Sequence, residues 1–166
     1  VDLDRAAVRR GGSDVTLVEF LDFECESCKA LYPVVEDVRK QYAGQINVVM
    51  RYFPIPSHTN AVNAALAVEA AANQGKLEDM YSLMYQTQEQ WGEQQVSKAD
   101  VFRGFAEELN LDMERFDADV AAPETLERVR FDQADGLGLG VEGTPTFFLN
   151  GEKLQLASVE DLTSAI

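Results

Sequence analysis

The run Val15-Thr16-Leu17-Val18-Glu19-Phe20-Leu21 is apolar at every position but two and rich in β-branched and aromatic residues. It predicts a buried strand. Residues 1–14 ahead of it are polar and charged, and read as a loose lead-in that ends in a short edge strand. Beyond it, Leu31, Val34, Val35 and Val38 recur at helical spacing. That helix is expected to run to Tyr42-Ala43-Gly44, with Gly44 as its C-terminal cap. Pro33 lies inside it, removes one backbone hydrogen bond and is expected to kink it. Residues 46–53, Ile-Asn-Val-Val-Met-Arg-Tyr-Phe, predict a second strand closed by Pro54 and Pro56. Two strands joined by a helix make a βαβ unit with parallel strands.

The pattern then turns helical. Residues 60–72 are alanine-rich and end at Gly75; residues 77–90 carry Leu77, Met80, Tyr81, Met84 and Tyr85 at helical spacing. Ser97-Lys98-Ala99-Asp100 reads as a capping box opening a helix with Val101, Phe102, Phe105 and Leu109 on one face. Asp112 is placed to cap a short helix bearing Met113, Phe116 and Val120. Pro123 fits the first turn of another, which carries Leu126 and Val129 toward Gly136. No strand pattern interrupts residues 60–137, so a helical block is inserted in an α/β framework. Its aromatic residues read as core, with Trp91 placed at its surface. The framework resumes with a strand over 147–149, an Asn150-Gly151 type I′ turn, a partner strand over 153–156, and a last helix over 159–166 capped by Ser158.

Composition narrows the class. The 166 residues suit one domain, and 46% hydrophobic with 26% charged content is that of an ordinary globular chain. No apolar run is long enough to span a bilayer. A net charge of −15 argues against nucleic acid and otherwise reads as a well-hydrated surface rather than recruitment of basic partners. The chain begins with Val1 rather than methionine, so a processed or trimmed start is expected, with a signal or membrane anchor ahead of it as one option.

The chemistry sits at one junction. Cys25-Glu26-Ser27-Cys28 holds both cysteines of the chain, where the first strand gives way to the helix. The first turn of a helix offers unpaired N–H groups and partial positive charge. A thiolate at Cys25 gains from both, and the Ser27 hydroxyl is a further candidate donor. Cys28, one turn on, is placed to resolve a mixed disulfide formed at Cys25. Two cysteines and one histidine fall short of a structural zinc site. A structural disulfide closing so short a loop restricts the unfolded chain little. Redox exchange is the reading that remains, without metal or cofactor. Cysteine count leaves the compartment open. Glu19, in a strand covered on both faces, is expected to be desolvated with a raised pKa. It is a candidate proton relay to Cys28; Arg51 on the next strand is the alternative, an ion-pair partner. His58, the lone histidine, reads as structural.

The order strand, CxxC, helix, strand, helices, Thr-Pro, hairpin and final helix resembles the thioredoxin fold, and the helical insertion resembles its DsbA-like branch. The matches are Glu19-Phe20 ahead of Cys25, the CxxC, Phe53-Pro54 with His58 and Ala64-Ala65, and Gly143-Thr144-Pro145-Thr146-Phe147. The resemblance implies a thioredoxin-fold domain over 1–58 and 138–166, βαβ and ββα halves, and an inserted helical domain over 59–137. It implies a cis Pro145 against the redox pair, with the Thr144 backbone free to pair with an extended substrate chain. It implies an exported or membrane-anchored, extracytoplasmic oxidase that gives its disulfide to unfolded thiol-containing proteins, and a membrane partner that reoxidises it. A reductase or isomerase on the same scaffold is the rival, and a non-catalytic peptide-binding module a third reading. The departure lies between the cysteines, where the namesake of the family has Pro-His. Here Glu26 and Ser27 stand instead, with Glu24 alongside. Like charges disfavour the thiolate, so a higher Cys25 pKa and a moderately oxidising disulfide are expected.

Overall fold

The computed structural model describes the backbone of residues 8–10 and all of residues 15–166. Five strands form one sheet: β1 (Val8–Arg10), β2 (Val15–Leu21), β3 (Ile46–Tyr52), β4 (Thr146–Leu149) and β5 (Glu152–Lys153). Their order is β1-β3-β2-β4-β5. β2 and β3 are parallel, joined by α1 (Glu26–Gln41); the other pairings are antiparallel. The edge strand expected of the lead-in is β1; the rest of that lead-in lies outside the described residues. Six helices stand between β3 and β4: α2 (Ala61–Ala72), α3 (Leu77–Gln86), α4 (Gln88–Trp91), α5 (Ala99–Glu108), α6 (Met113–Ala121) and α7 (Pro123–Gly138). α8 (Val159–Ala165) closes the chain behind a capping box in which Ser158 and Asp161 satisfy each other's backbone N–H groups.

Register decides which chemistry each face of the sheet receives. Glu19 lies opposite Met50 and Phe147; Phe20 lies opposite Arg51 and Thr146. Side chains alternate along a strand, so Glu19 and Arg51 point to opposite faces. One face packs Leu17 and Phe147 on Val35 and Val38 of α1 and Leu162 of α8. Further along the same face, Leu21, Met50 and Tyr52 join Cys28 and the apolar sides of the inserted helices in one cluster. The other face holds Val18, Phe20, Val49 and Phe148, covered by α7. There Arg51 is fully buried and pairs with Asp132 at 2.6 Å and Asp135 at 2.9 Å. Its guanidinium also lies over the rings of Phe20 and Phe131. Gly136 admits α7 to this face: a Cβ there would lie 2.9–3.0 Å from the Phe20 and Phe53 rings.

Several expectations need correcting. The helix over 77–90 is two, broken at Thr87, whose hydroxyl turns back to the Leu83 carbonyl at 2.6 Å. The capping box at Ser97 does not form; α5 starts behind Lys98 without a side-chain cap, and the Ser97 hydroxyl accepts from the Ala99 N–H and from Asn63 instead. Trp91 is not at the surface. It is fully buried edge-on against Phe102, with Nε1 donating to Thr87. Of the two apolar residues expected on α7, Val129 is buried and Leu126 is exposed. The hairpin strand is only two residues long, although Asn150 and Gly151 both take positive φ as a type I′ turn requires.

Candidate active site

β2 ends at Leu21 and the chain turns through residues 22–25 before α1 begins. Asp22 builds this turn. Its Oδ1 accepts the Glu24 N–H at 2.8 Å, its Oδ2 accepts the Ile55 N–H at 2.9 Å, and its carbonyl accepts the Cys25 N–H at 3.1 Å. The carboxamide of Gln88, buried at the start of α4, donates to the carbonyls of Phe23 at 2.7 Å and Cys25 at 2.9 Å. Cys25 is thereby held as the N-cap of α1.

The two thiols differ in setting. Cys25 is 9% exposed and Cys28 is fully buried. The Cys25 pKa is lowered from 9.0 to about 6: the Cys28 thiol donates to it, outweighing burial, and the Thr144 hydroxyl and the Cys28 N–H add to the effect. Its Sγ lies 3.5 Å from the Thr144 carbonyl. The Thr144–Pro145 bond is cis. Cys28 moves the other way, pushed well up by burial, by its hydrogen bond to Cys25 and by the charge of Glu19. Both cysteines are in the free thiol form.

Glu19 is 3% exposed on the Cys28 side of the sheet, and burial with the charges of Cys25 and Glu36 raises its carboxyl from 4.5 to about 8. Arg51 is not its partner, because register puts Arg51 on the far face with Asp132. Glu19 instead opens on a cleft between α1, β3 and α3, lined also by Glu36, Arg39, Tyr81 and Ser82.

Of the residues expected to tune the pair, Ser27 is exposed, and the donors to Cys25 are Cys28 and Thr144 instead. The like charge that opposes the thiolate comes from Asp22. Glu24 is buried and its pKa is raised by desolvation, with the Asn60 and Glu93 N–H groups pulling back. Glu26 is exposed and meets Glu93. His58 has a larger part than sequence gave it: its Nδ1 lies 2.7 Å from Asp22 Oδ2. Burial lowers its pKa, but Asp22, Glu24 and Cys25 outweigh that and raise it. A histidine whose protonated form is favoured therefore stands on Asp22 at the turn before Cys25, supplied from outside the segment between the cysteines. Asp22, Gln88 and Glu93 were missed. A polar residue closing an apolar strand was the one available signal for Asp22, and neither Gln88 nor Glu93 carries any.

A strand-end CxxC beside a Thr-Pro turn and under a helical cap is the arrangement of the DsbA-like thiol–disulfide oxidoreductase fold. The model of the thioredoxin family matches residues 11–166, and the chain belongs to that family. Among solved structures it is similar to a thioredoxin-like oxidoreductase from Silicibacter pomeroyi, with 27% identity, TM-score 0.77, and 99% of this chain and 95% of that one covered. It also shares its fold with alpha-DsbA1 from Wolbachia pipientis (16%, TM-score 0.82, 95% and 87% covered) and BdbD from Bacillus subtilis (16%, TM-score 0.80, 99% and 92% covered). Curated relatives include a Na(+)/H(+) antiporter NhaA from Herminiimonas arsenicoxydans, 36% identical over 148 residues, which are 88% of this chain and 22% of that protein. Another, from Salinispora tropica, is 38% identical over 156 residues, 92% of this chain and 23% of that protein. The chain thus spans about a quarter of the length of the curated relatives it matches. No described helix is long and apolar enough to cross a membrane.

Proposed function

We propose that this chain is an extracytoplasmic thiol–disulfide oxidase that passes a Cys25–Cys28 disulfide to thiol-containing polypeptides. The observation that carries the reading is the asymmetry of the pair: a surface-reaching Cys25 with its pKa lowered to about 6 against a fully buried Cys28 pushed well above its usual range. A substrate thiolate attacks Cys25 Sγ. The Cys25–Cys28 bond breaks, and Cys28 leaves with the electron pair and takes a proton. Glu19, poised near neutrality on the Cys28 side, is the group that supplies it. A second substrate thiolate then attacks the substrate sulfur of the mixed disulfide and releases Cys25 as a thiolate. The substrate dithiol is oxidised by two electrons and the cysteine pair is reduced by two. The leaving thiolate at Cys25 is a stabilised one, which speeds release. Thr144, whose carbonyl stands 3.5 Å from Cys25 Sγ, borders the path of the incoming chain, and residues 59–137 form the helical domain that roofs it. A membrane-bound oxidant restores the disulfide.

The test is a trapping experiment. A Cys28→Ala variant retains mixed disulfides at Cys25, and mass spectrometry of those adducts identifies exported or envelope proteins on this reading. A second reading is favoured by the antiporter relatives: the exchange acts on a membrane transporter. Adducts confined to one such transporter support it; an absence of adducts contradicts both.

A further inference from the structure

Both partners of the Gln88 carboxamide are carbonyl oxygens, of Phe23 at 2.7 Å and of Cys25 at 2.9 Å. A carboxamide nitrogen carries two N–H donors, and here each has one acceptor, so the nitrogen end must face the turn. Gln88 is 4% exposed, and these bonds are made away from water. The break after α3 puts it there. Thr87 ends that helix, the buried Trp91 ring donates to the Thr87 hydroxyl at 3.2 Å, and α4 restarts with Gln88 on the turn before α1. Gly92 lets the chain fold back close behind it: a Cβ there would lie 2.8 Å from the Gln88 carbonyl.

Cys25 is fixed on both sides. Its N–H donates to the Asp22 carbonyl at 3.1 Å, and its own carbonyl takes the Lys29 N–H at 3.1 Å besides Gln88. Asp22 and Lys29 belong to the same strand-to-helix junction as Cys25; Gln88 comes from the helices between β3 and β4. The attachment is reciprocal. Glu24 of the junction accepts the Asn60 N–H at 3.3 Å and the Glu93 N–H, with Glu93 at a φ of 56°, a backbone state uncommon outside glycine. The Cys25 sulfur meets the Cys28 N–H, the third of the helix, as an N-cap side chain does. That meeting depends on how the planar peptide after Cys25 is turned, and the grip on the Cys25 carbonyl sets this.

We propose that Gln88 is a positioning residue for thiol–disulfide exchange: it holds the peptide after Cys25 so that the first turn of α1 stays aimed at the sulfur, and it makes the reactivity of the pair depend on the helices packed over it. The inference rests on the oxidoreductase reading above and adds a residue to its machinery. Without Gln88, two carbonyls beside the sulfur lose a donor, and their partial negative charge is no longer offset. The Cys25 thiolate is then less stable.

The experiment compares the reduced protein with Gln88→Met, which keeps the length and loses both donors, and with Gln88→Asn, whose carboxamide is one methylene short. Asp22, Glu24 and His58 keep their charges in both. The pH dependence of Cys25 alkylation is read in each, alongside urea unfolding. Gln88→Met is expected to move the inflection up by about 0.5–1 pH unit, and Gln88→Asn to move it in the same direction by less. The oxidised parent is expected to oxidise a dithiol peptide faster than oxidised Gln88→Met, since a thiolate of higher pKa leaves less readily. Lower stability with an unmoved inflection overturns the inference, because Gln88 then only holds the fold together. If Gln88→Met does not fold, the inflection of Gln88→Asn decides in the same way. A parent that oxidises no dithiol peptide overturns the oxidoreductase reading, and the inference with it.

Discussion

Replacing Glu19 with glutamine is expected to stabilise the protein, and to do so only as pH rises. The carboxyl is buried and shifted from 4.5 to about 8. Between those values the folded chain holds a proton that the unfolded chain has lost, so stability falls as pH rises through this window. At about 1.4 kcal/mol per pH unit, ionising Glu19 in the fold costs about 5 kcal/mol relative to the unfolded chain. Glutamine keeps the shape and a hydrogen-bonding head and carries no charge at any pH. The glutamine variant therefore gains on the parent by about 4 kcal/mol between pH 5 and pH 9, because the parent already bears a small part of the cost at pH 5. Urea unfolding of both reduced proteins at a series of pH values gives the difference directly, and titrating groups that do not interact with Glu19 cancel in it. A difference that stays flat from pH 5 to pH 9 refutes the reasoning, since Glu19 would then ionise in the fold without cost. The same variant lowers the Cys28 pKa, because Glu19 is one of the charges holding it up.

Other outcomes follow from the same geometry. The alkylation rate of Cys25 is expected to inflect near pH 6, and in Cys28→Ala to inflect higher, because the donor that contributes most to the lowering is gone; an unmoved inflection contradicts this. His58→Gln is expected to raise the Cys25 pKa, since the Cys25 charge raises the His58 pKa and that coupling is reciprocal, and thiolate absorbance at 240 nm measured against pH reads the change. Arg51→Met leaves Asp132 buried without its nearest cation, with only Arg128 at 3.8 Å, and costs about 3–5 kcal/mol by urea unfolding; adding Asp132→Asn recovers part of it.

Much of the fold was legible because its signals are local. The β-branched run at Val15–Leu21, the Asn150-Gly151 turn and the Asp112 cap each declare themselves within a few residues. The redox pair was legible for the same reason. What escaped depends on register and on distant neighbours. Glu19 and Arg51 lie on adjacent strands, and only the pairing of Glu19 with Met50 shows that they face apart. Trp91 was placed at the surface with no local signal behind it, yet tertiary packing against Phe102 buries it. The groups that shape the thiol environment, Asp22, His58 and Gln88, meet across 36 to 65 positions. No spacing rule over the sequence brings them together. His58 therefore passed for structural, and the absence of a histidine between the cysteines overstated how unsupported the Cys25 thiolate is.

The central claim is that Cys25 and Cys28 form an oxidising pair. It is tested most directly by equilibrating the protein in glutathione buffers of graded composition, trapping free thiols by alkylation and counting them by mass. A Cys25 pKa of about 6 lies below that of a reductase thiol and above that of the strongest oxidants, so a potential at or above about −180 mV is expected. A potential below about −240 mV, in the range of reductases, would contradict the account, because such a disulfide is kept rather than given away.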